Sequence, residues 1–233
     1  MIRAVLLAAL CGLALPATAQ TVTQAITQEI TQVPYDKVVS QTAGQLDFES
    51  FPTLPEPGQA VPGLVRVTGL TLGDSLAGQA RRAVDGFDTL DRAPRAPVTV
   101  VAGGSPALAV AYHTGFGSNA AFPIGPDGFA ARSGRGEGAL AMGFDATVHA
   151  FGLRLHADYA DPLGSRPAPG PVWLDFYAGD GTKLHRAELR PDHGVQSYGF
   201  LSTAPISAIT LTHRDPGGIA IDDIRYSLDS LTN

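Results

Sequence analysis

Cysteine is almost missing from this chain, and the single one, Cys11, lies in the first apolar stretch. A chain with one thiol forms no internal disulfide and no cysteine-based metal site. Long apolar runs are also missing. None after that first stretch nears the ~20 residues that a membrane-crossing helix needs. No Gly-x-Ser-x-Gly elbow is present, nor a phosphate loop or dinucleotide fingerprint, so the usual signatures of serine hydrolases and nucleotide enzymes are lacking. Tryptophan occurs once, as Trp173. Strong helix patterning is scarce, whereas 27 Gly and 18 Pro punctuate the sequence. The formal net charge of −6, with scattered Lys and Arg, argues against nucleic acid as a partner and is compatible with calcium.

The first nineteen residues read as a targeting segment. Arg3 supplies the positive start, Ala4 to Leu15 an apolar run too short to span a bilayer, and Ala17-Thr18-Ala19 a small-x-small cleavage site. Bulky Leu10 before Cys11 speaks against a lipoprotein. The exported chain is expected to begin at Gln20, to carry no membrane span, and to reach the periplasm, cell surface or medium. Cys11 leaves with the segment, so the remaining domain must rest on its core alone.

Residues 20–45 contain a near-repeat, Thr23-Gln24-Ala25-Ile26, Thr27-Gln28-Glu29-Ile30 and Thr31-Gln32-Val33-Pro34. This stretch reads as an N-terminal tether. The alternative is a short partner-docking helix with Val22, Ile26 and Ile30 on one stripe. From Leu46 to the end at 233 the pattern is β. Strands are expected at Leu46–Phe51, Leu64–Leu72, Val98–Ala102, Ala107–His113, Ala139–Phe144, Val148–His156, Val172–Ala178, Lys183–Leu189, Val195–Leu201, Ile206–His213 and Ile219–Leu228. Asp74–Leu90 is the one helix candidate in this region. Alternation places Phe151, Leu153 and Leu155 on one face, with Arg154 and His156 opposite. It likewise separates Val172, Leu174 and Phe176 from Trp173, Asp175 and Tyr177, and Ile209 and Leu211 from Thr210 and Thr212. Gly179-Asp180-Gly181 is a hairpin turn. The expected fold is all-β: an antiparallel β-sandwich of jelly-roll type.

Three groups of residues invite chemistry. Asp222-Asp223 interrupts the apolar run of the last strand, where Asp is disfavoured. A β-bulge there returns Ile224 and Tyr226 to the core and sends both carboxylates to the rim. Two adjacent acids then ask for calcium, an arginine or solvent. Trp173, Asp175 and Tyr177 form the second group: two rings flanking an acid suit a sugar, but the same face suits a covered side of the sandwich, with Pro167–Pro171 as cover. The third is the histidines. His149, His185 and His193 show no metal-type spacing, His156 shares its face with Arg154, and His113 and His213 end strands.

The segments Asp47-Phe48-Glu49, Gly136-Glu137-Gly138-Ala139-Leu140, Phe176-Tyr177-Ala178-Gly179-Asp180-Gly181, Tyr198-Gly199-Phe200 and Asp215 to Ile224 occur in a recognisable order. In them the chain, over roughly residues 46–228, resembles the exported jelly-roll domains of PEP-CTERM-type bacterial surface proteins. The C-terminal sorting segment usual in that family, a Pro-Glu-Pro signature followed by an apolar helix and a basic tail, is not found at the end of this sequence. Phe48-Glu49 together with Asp222-Asp223 also resembles jelly-roll carbohydrate-binding modules, in which the first and last strands are neighbours. That resemblance implies a structural calcium held by Glu49 and Asp222, with Asp223 as second candidate for the aspartate ligand. The expectation is therefore an exported, non-catalytic, calcium-stabilised module with a surface-structural or binding role, its partner an extracellular polysaccharide or a surface assembly. Two alternatives stand beside it: a carbohydrate binder using Trp173, Asp175 and Tyr177, and a glycan hydrolase or lyase whose cleft is built by loops 74–97 and 114–137.

Overall fold

A computed structural model describes residues 30–103, 106–157 and 167–228, so the targeting segment and the first part of the tether lie outside the described residues. The chain opens with β1 (Ile30–Val33), α1 (Tyr35–Val39) and β2 (Gly44–Leu46). It continues through β3 (Gln59–Val61), β4 (Val65–Val67), β5 (Leu70–Gly73), β6 (Ser75–Leu76), β7 (Ala80–Val84), β8 (Phe87–Asp91) and β9 (Val100–Val101). The remaining strands are β10 (Leu108–His113), β11 (Ser118–Pro123), β12 (Leu140–Ala157), β13 (Val172–Tyr177), β14 (Lys183–Leu189), β15 (Gly194–His213) and β16 (Ile219–Tyr226). The all-β antiparallel class expected from the alternation is the class observed.

One 12-stranded sheet folds over itself into two layers because β12 and β15 are long and bent. Their mutual register slips between Gly143 and Val148 and again between Val148 and Ala150. On one side of the bend, β12 pairs with β5 while β15 pairs with β13, which carries β14. Beyond the bend, β12 pairs with β16, which leads through β11 and β10 to β3, and β15 pairs with β1. Four expected strands, Ala139–Phe144, Val148–His156, Val195–Leu201 and Ile206–His213, are thus two continuous ones. The β-branched and aromatic residues on either side sustain both halves, and the bulges absorb the change of direction.

The core lies between the layers. Phe151, Leu153, Leu155, Val172, Leu174, Phe176, Ile209 and Leu211 are all fully buried, as their alternation requires. Phe176 packs on Phe200 at 5.2 Å and meets Phe151 edge-on at 6.3 Å between ring centres.

Three local expectations are corrected. Asp74–Leu90 is not helical: it contains β6 and the β7–β8 hairpin. The turn is Asp85-Gly86, with φ of 52° and 86°, and positive φ at both central residues is what a tight hairpin demands. Leu46–Phe51 is strand only up to Leu46, since Phe48 takes φ of 58° and turns the chain out of the sheet. β11 was not anticipated at all, its Asn, Ala and Pro giving little strand signal.

Residues 30–45 belong to the sandwich rather than trailing from it as a tether. Ile30 pairs with Ser202 and Gln45 with Arg225. Between them α1 rests in a notch floored by Gly152 and Gly199, which face each other across β12 and β15. A Cβ on Gly152 would stand 2.9 Å from the Tyr35 ring, and one on Gly199 only 2.8 Å from Val38 Cγ2. The glycines make room for the helix.

Candidate functional site

The last strand carries the bulge expected at its acidic pair. Asp222 lies opposite Arg154, and Arg225 opposite Gly152, so β16 has one residue more than β12 between these points. Asp223 takes up the excess at φ of 47°. Ile224 and Tyr226 return to the core.

The two carboxylates diverge. Asp222 is buried, accepts from the Ser118 hydroxyl at 2.7 Å and from the Asp223 N–H at 2.6 Å, and forms no ion pair among the described residues. Burial, together with the neighbouring Asp223 charge, pushes its pKa up to about 6. Asp223 pairs instead with Arg225 at 2.7 Å and accepts from the Gln45 amide at 3.0 Å. Glu49 is exposed, and its Oε1 accepts from the Asn119 N–H at 2.8 Å. Glu49 and Asp222 therefore reach consecutive residues of β11, whereas Asp223 is held elsewhere. Among the described residues no group of three or more His, Cys, Asp or Glu side chains converges as a metal site.

The Trp173 face is covered by the segment containing β7 and β8, not by Pro167–Pro171. Tyr177 is buried, with Gln79 donating to its hydroxyl at 3.2 Å. Asp175 is gripped by Arg186 through two bonds of 2.6 and 2.7 Å and by Lys183 at 2.8 Å. Burial works to raise its pKa, but these cations outweigh burial and hold it below the usual carboxylate value. Trp173 is half-buried, donates to Glu188 at 3.3 Å, and lines a groove of about 250 Å³ with Thr89 and Arg214. The three residues share one side of a sheet, but only Trp173 is open to a ligand.

Two histidines meet where alternation alone paired His156 with Arg154. His113 and His156 lie 4.4 Å apart between ring centres. Burial first, and the neighbouring His156 second, depress the pKa of His113 to about 4. His213 is depressed to about 3 by burial and accepts the Asp215 N–H on Nδ1 at 3.1 Å. Both rings are neutral at physiological pH and serve the fold.

A cleft of about 760 Å³ opens on the outer side of the layer containing β10 and β11. Ala109 and Phe122 line it, together with Pro216-Gly217 and a wall segment that supplies Arg132, Ser133, Arg135 and Glu137. Glu56, Pro57 and Pro167 complete the lining. The wall is fixed by backbone bonds. Gly125 donates to the Gly134 carbonyl at 2.9 Å, and both Gly136 and Gly138 donate to the carbonyl of Pro123, which leaves Glu137 looped out between them. Neither glycine is replaceable: a Cβ on Gly136, whose φ is 116°, would lie 2.9 Å from Ile219 N, and one on Gly138 would lie 2.5 Å from Ile124 O.

Glu137 is 9% exposed and its Oε2 has no hydrogen-bond partner. Burial, seconded by the Asp127 and Asp215 charges, raises its pKa to about 7 against the pull of its own backbone bond and Arg135. Arg132 and Arg135 make no ion pair among the described residues. Loop 114–137 does build part of a cleft, but the acid that matters, Glu137, stands outside the site residues expected from sequence. The signal present was an acid between two glycines at the end of a loop, Gly136-Glu137-Gly138.

No protein-family model matches the chain, and no curated protein matches it in sequence.

Proposed function

We propose that the chain is an exported β-sandwich module of jelly-roll type, related to the PEP-CTERM-type surface proteins, with a surface-structural or binding role rather than a catalytic one. The observation that carries this reading is the use of its conspicuous acids. Glu49, Asp223 and Asp175 each hold a backbone group or a cation of the fold, which ties the two ends of the domain together and braces its sides. Export rests on Arg3, the Ala4–Leu15 run and Ala17-Thr18-Ala19. Cell fractionation with sequencing of the exported N-terminus tests it: a protein retained in the cytoplasm with Met1 intact overturns the reading.

Calcium is proposed as an addition to this closure, through Glu49 and Asp222. Its support is that Asp222 is buried beside Asp223 and, among the described residues, has Arg154 nearby but no ion pair, so that its pKa stays raised, a situation that a hard cation relieves. Asp223, already paired with Arg225, is left out of the ligand set.

A glycan-active enzyme is the second reading. It is favoured by Glu137, an acid tuned to about 7 inside a cleft, the value suited to general acid–base work. New reducing ends or unsaturated products released from polysaccharides by the purified protein, and lost in Glu137→Gln, would decide for the enzyme.

A further inference from the structure

The cleft holds an unusual set of unused groups for an acidic protein. Arg132 is exposed and Arg135 half-buried; both line the cleft, and neither forms an ion pair among the described residues. Two guanidinium groups lining one cleft favour a ligand carboxylate, which each can grip through charge-assisted bonds. Glu137 contributes a buried oxygen that lacks a donor. A buried acceptor without a partner is costly, and a ligand hydroxyl that supplies the hydrogen removes that cost. Pro57 and Pro216, both exposed and lining the cleft, offer apolar rings against which the apolar side of a sugar ring can lie. The volume is that of a site for a small or oligomeric ligand.

We propose that this cleft binds an acidic saccharide, with Arg132 and Arg135 taking its carboxylate and Glu137 Oε2 accepting from a hydroxyl. The site does not depend on calcium or on export, and it serves a binder and an enzyme alike. Neutral sugars satisfy Glu137 but leave the arginines unpaired. Small hydroxy-acids satisfy the arginines but leave the ring faces empty.

Isothermal titration calorimetry on the purified protein tests this with three probes: an oligogalacturonide, a neutral cello-oligosaccharide of equal length, and citrate. The oligogalacturonide is expected to bind on the order of tenfold more tightly than either of the others. The double variant Arg132→Gln/Arg135→Gln, altered only on the cleft wall, is expected to lose that advantage while keeping its melting temperature. Glu137→Met is expected to weaken both oligosaccharides. Should that variant fold poorly, the arginine pair carries the test alone. Equal affinity for acidic and neutral oligomers, citrate binding as tightly as the oligogalacturonide, an unaffected double variant, or no binding of any probe would each overturn the proposal.

Discussion

Tyr35 donates its hydroxyl to the carbonyl oxygen of Asp223 at 2.6 Å, across 188 positions of sequence. The bulge that turns Asp223 into positive φ frees that carbonyl from the ladder, and the helix that carries Tyr35 is admitted by the Gly152–Gly199 notch. The start and the end of the domain thus close on one another through a hydrogen bond whose two partners both depend on backbone irregularities. Burial, followed by the Asp223 charge, raises the Tyr35 pKa well above its ordinary value, so the phenol stays a donor at any physiological pH.

Tyr35→Phe keeps the ring on its glycine floor and removes the donor. It is expected to lower stability by about 1 kcal/mol, the typical net loss of a hydrogen bond at a part-buried carbonyl. Gly199→Ala drives a methyl into Val38 and the backbone of α1 and is expected to cost about 1–3 kcal/mol. Urea unfolding midpoints measure both. The double variant should cost less than the sum, because both changes release the same helix.

Gly86→Ala isolates backbone conformation from packing. Nothing lies within 4 Å of the Cβ position at this turn, so the expected loss, about 1 kcal/mol, comes from φ of 86° alone. Gly181→Ala also has positive φ, but its Cβ would lie 2.5 Å from the Pro94 carbonyl oxygen, and it should cost more. Thermal melting of the two variants ranks them.

Glu137 makes stability fall as pH rises. Its folded-state pKa of about 7 lies above the ordinary 4.5, so the folded form is favoured below 4.5 and that advantage is lost as pH climbs through 7. Asp222, raised to about 6, acts in the same sense. His113 and His213, depressed to about 4 and about 3, act in the opposite sense, and their contribution is lost as pH falls below 6.5. Maximal stability is expected on the acid side of neutrality. Glu137→Gln should raise stability at pH 8 by roughly 3 kcal/mol, leave pH 4 unchanged, and move the maximum upward. Denaturant titrations between pH 4 and 8 read all three effects.

Calcium at Glu49 and Asp222 should raise the melting temperature of the wild type relative to EDTA, with the gain disappearing in Asp222→Ala. Identical melting curves of the wild type in calcium and in EDTA would remove calcium from the account and leave closure to Tyr35, Gln45, Glu49 and Arg225.

The alternation of Phe151, Leu153 and Leu155, and of Val172, Leu174 and Phe176, was legible because core-facing positions of a strand recur with a period of two. The Asp222–Asp223 bulge was legible for the same reason, since strict alternation would have expelled Ile224 and Tyr226. The β7–β8 hairpin lies in the one segment that offers a helix start, at Asp74 or Ser75, while the decisive signal, Asp85-Gly86, concerns only two backbone conformations. Glu137 is not legible as a site residue because its environment is assembled from remote segments: the Pro123 carbonyl, the Pro216–Gly218 turn and the Glu56–Pro57 bend.

By itself, then, the sequence determined the all-β class, the inward faces of the strands and the break at the acidic pair, because those follow from local periodicity and from the cost of burying charge. Only the tertiary structure decided that residues 30–45 dock on the sandwich, that the Trp173 face is covered, that Asp222 and Asp223 part ways, and that Glu137 faces a cleft beside two unpaired arginines. Each of these depends on which distant backbone arrives next to a given side chain, and contacts of that kind leave no periodic trace in the chain.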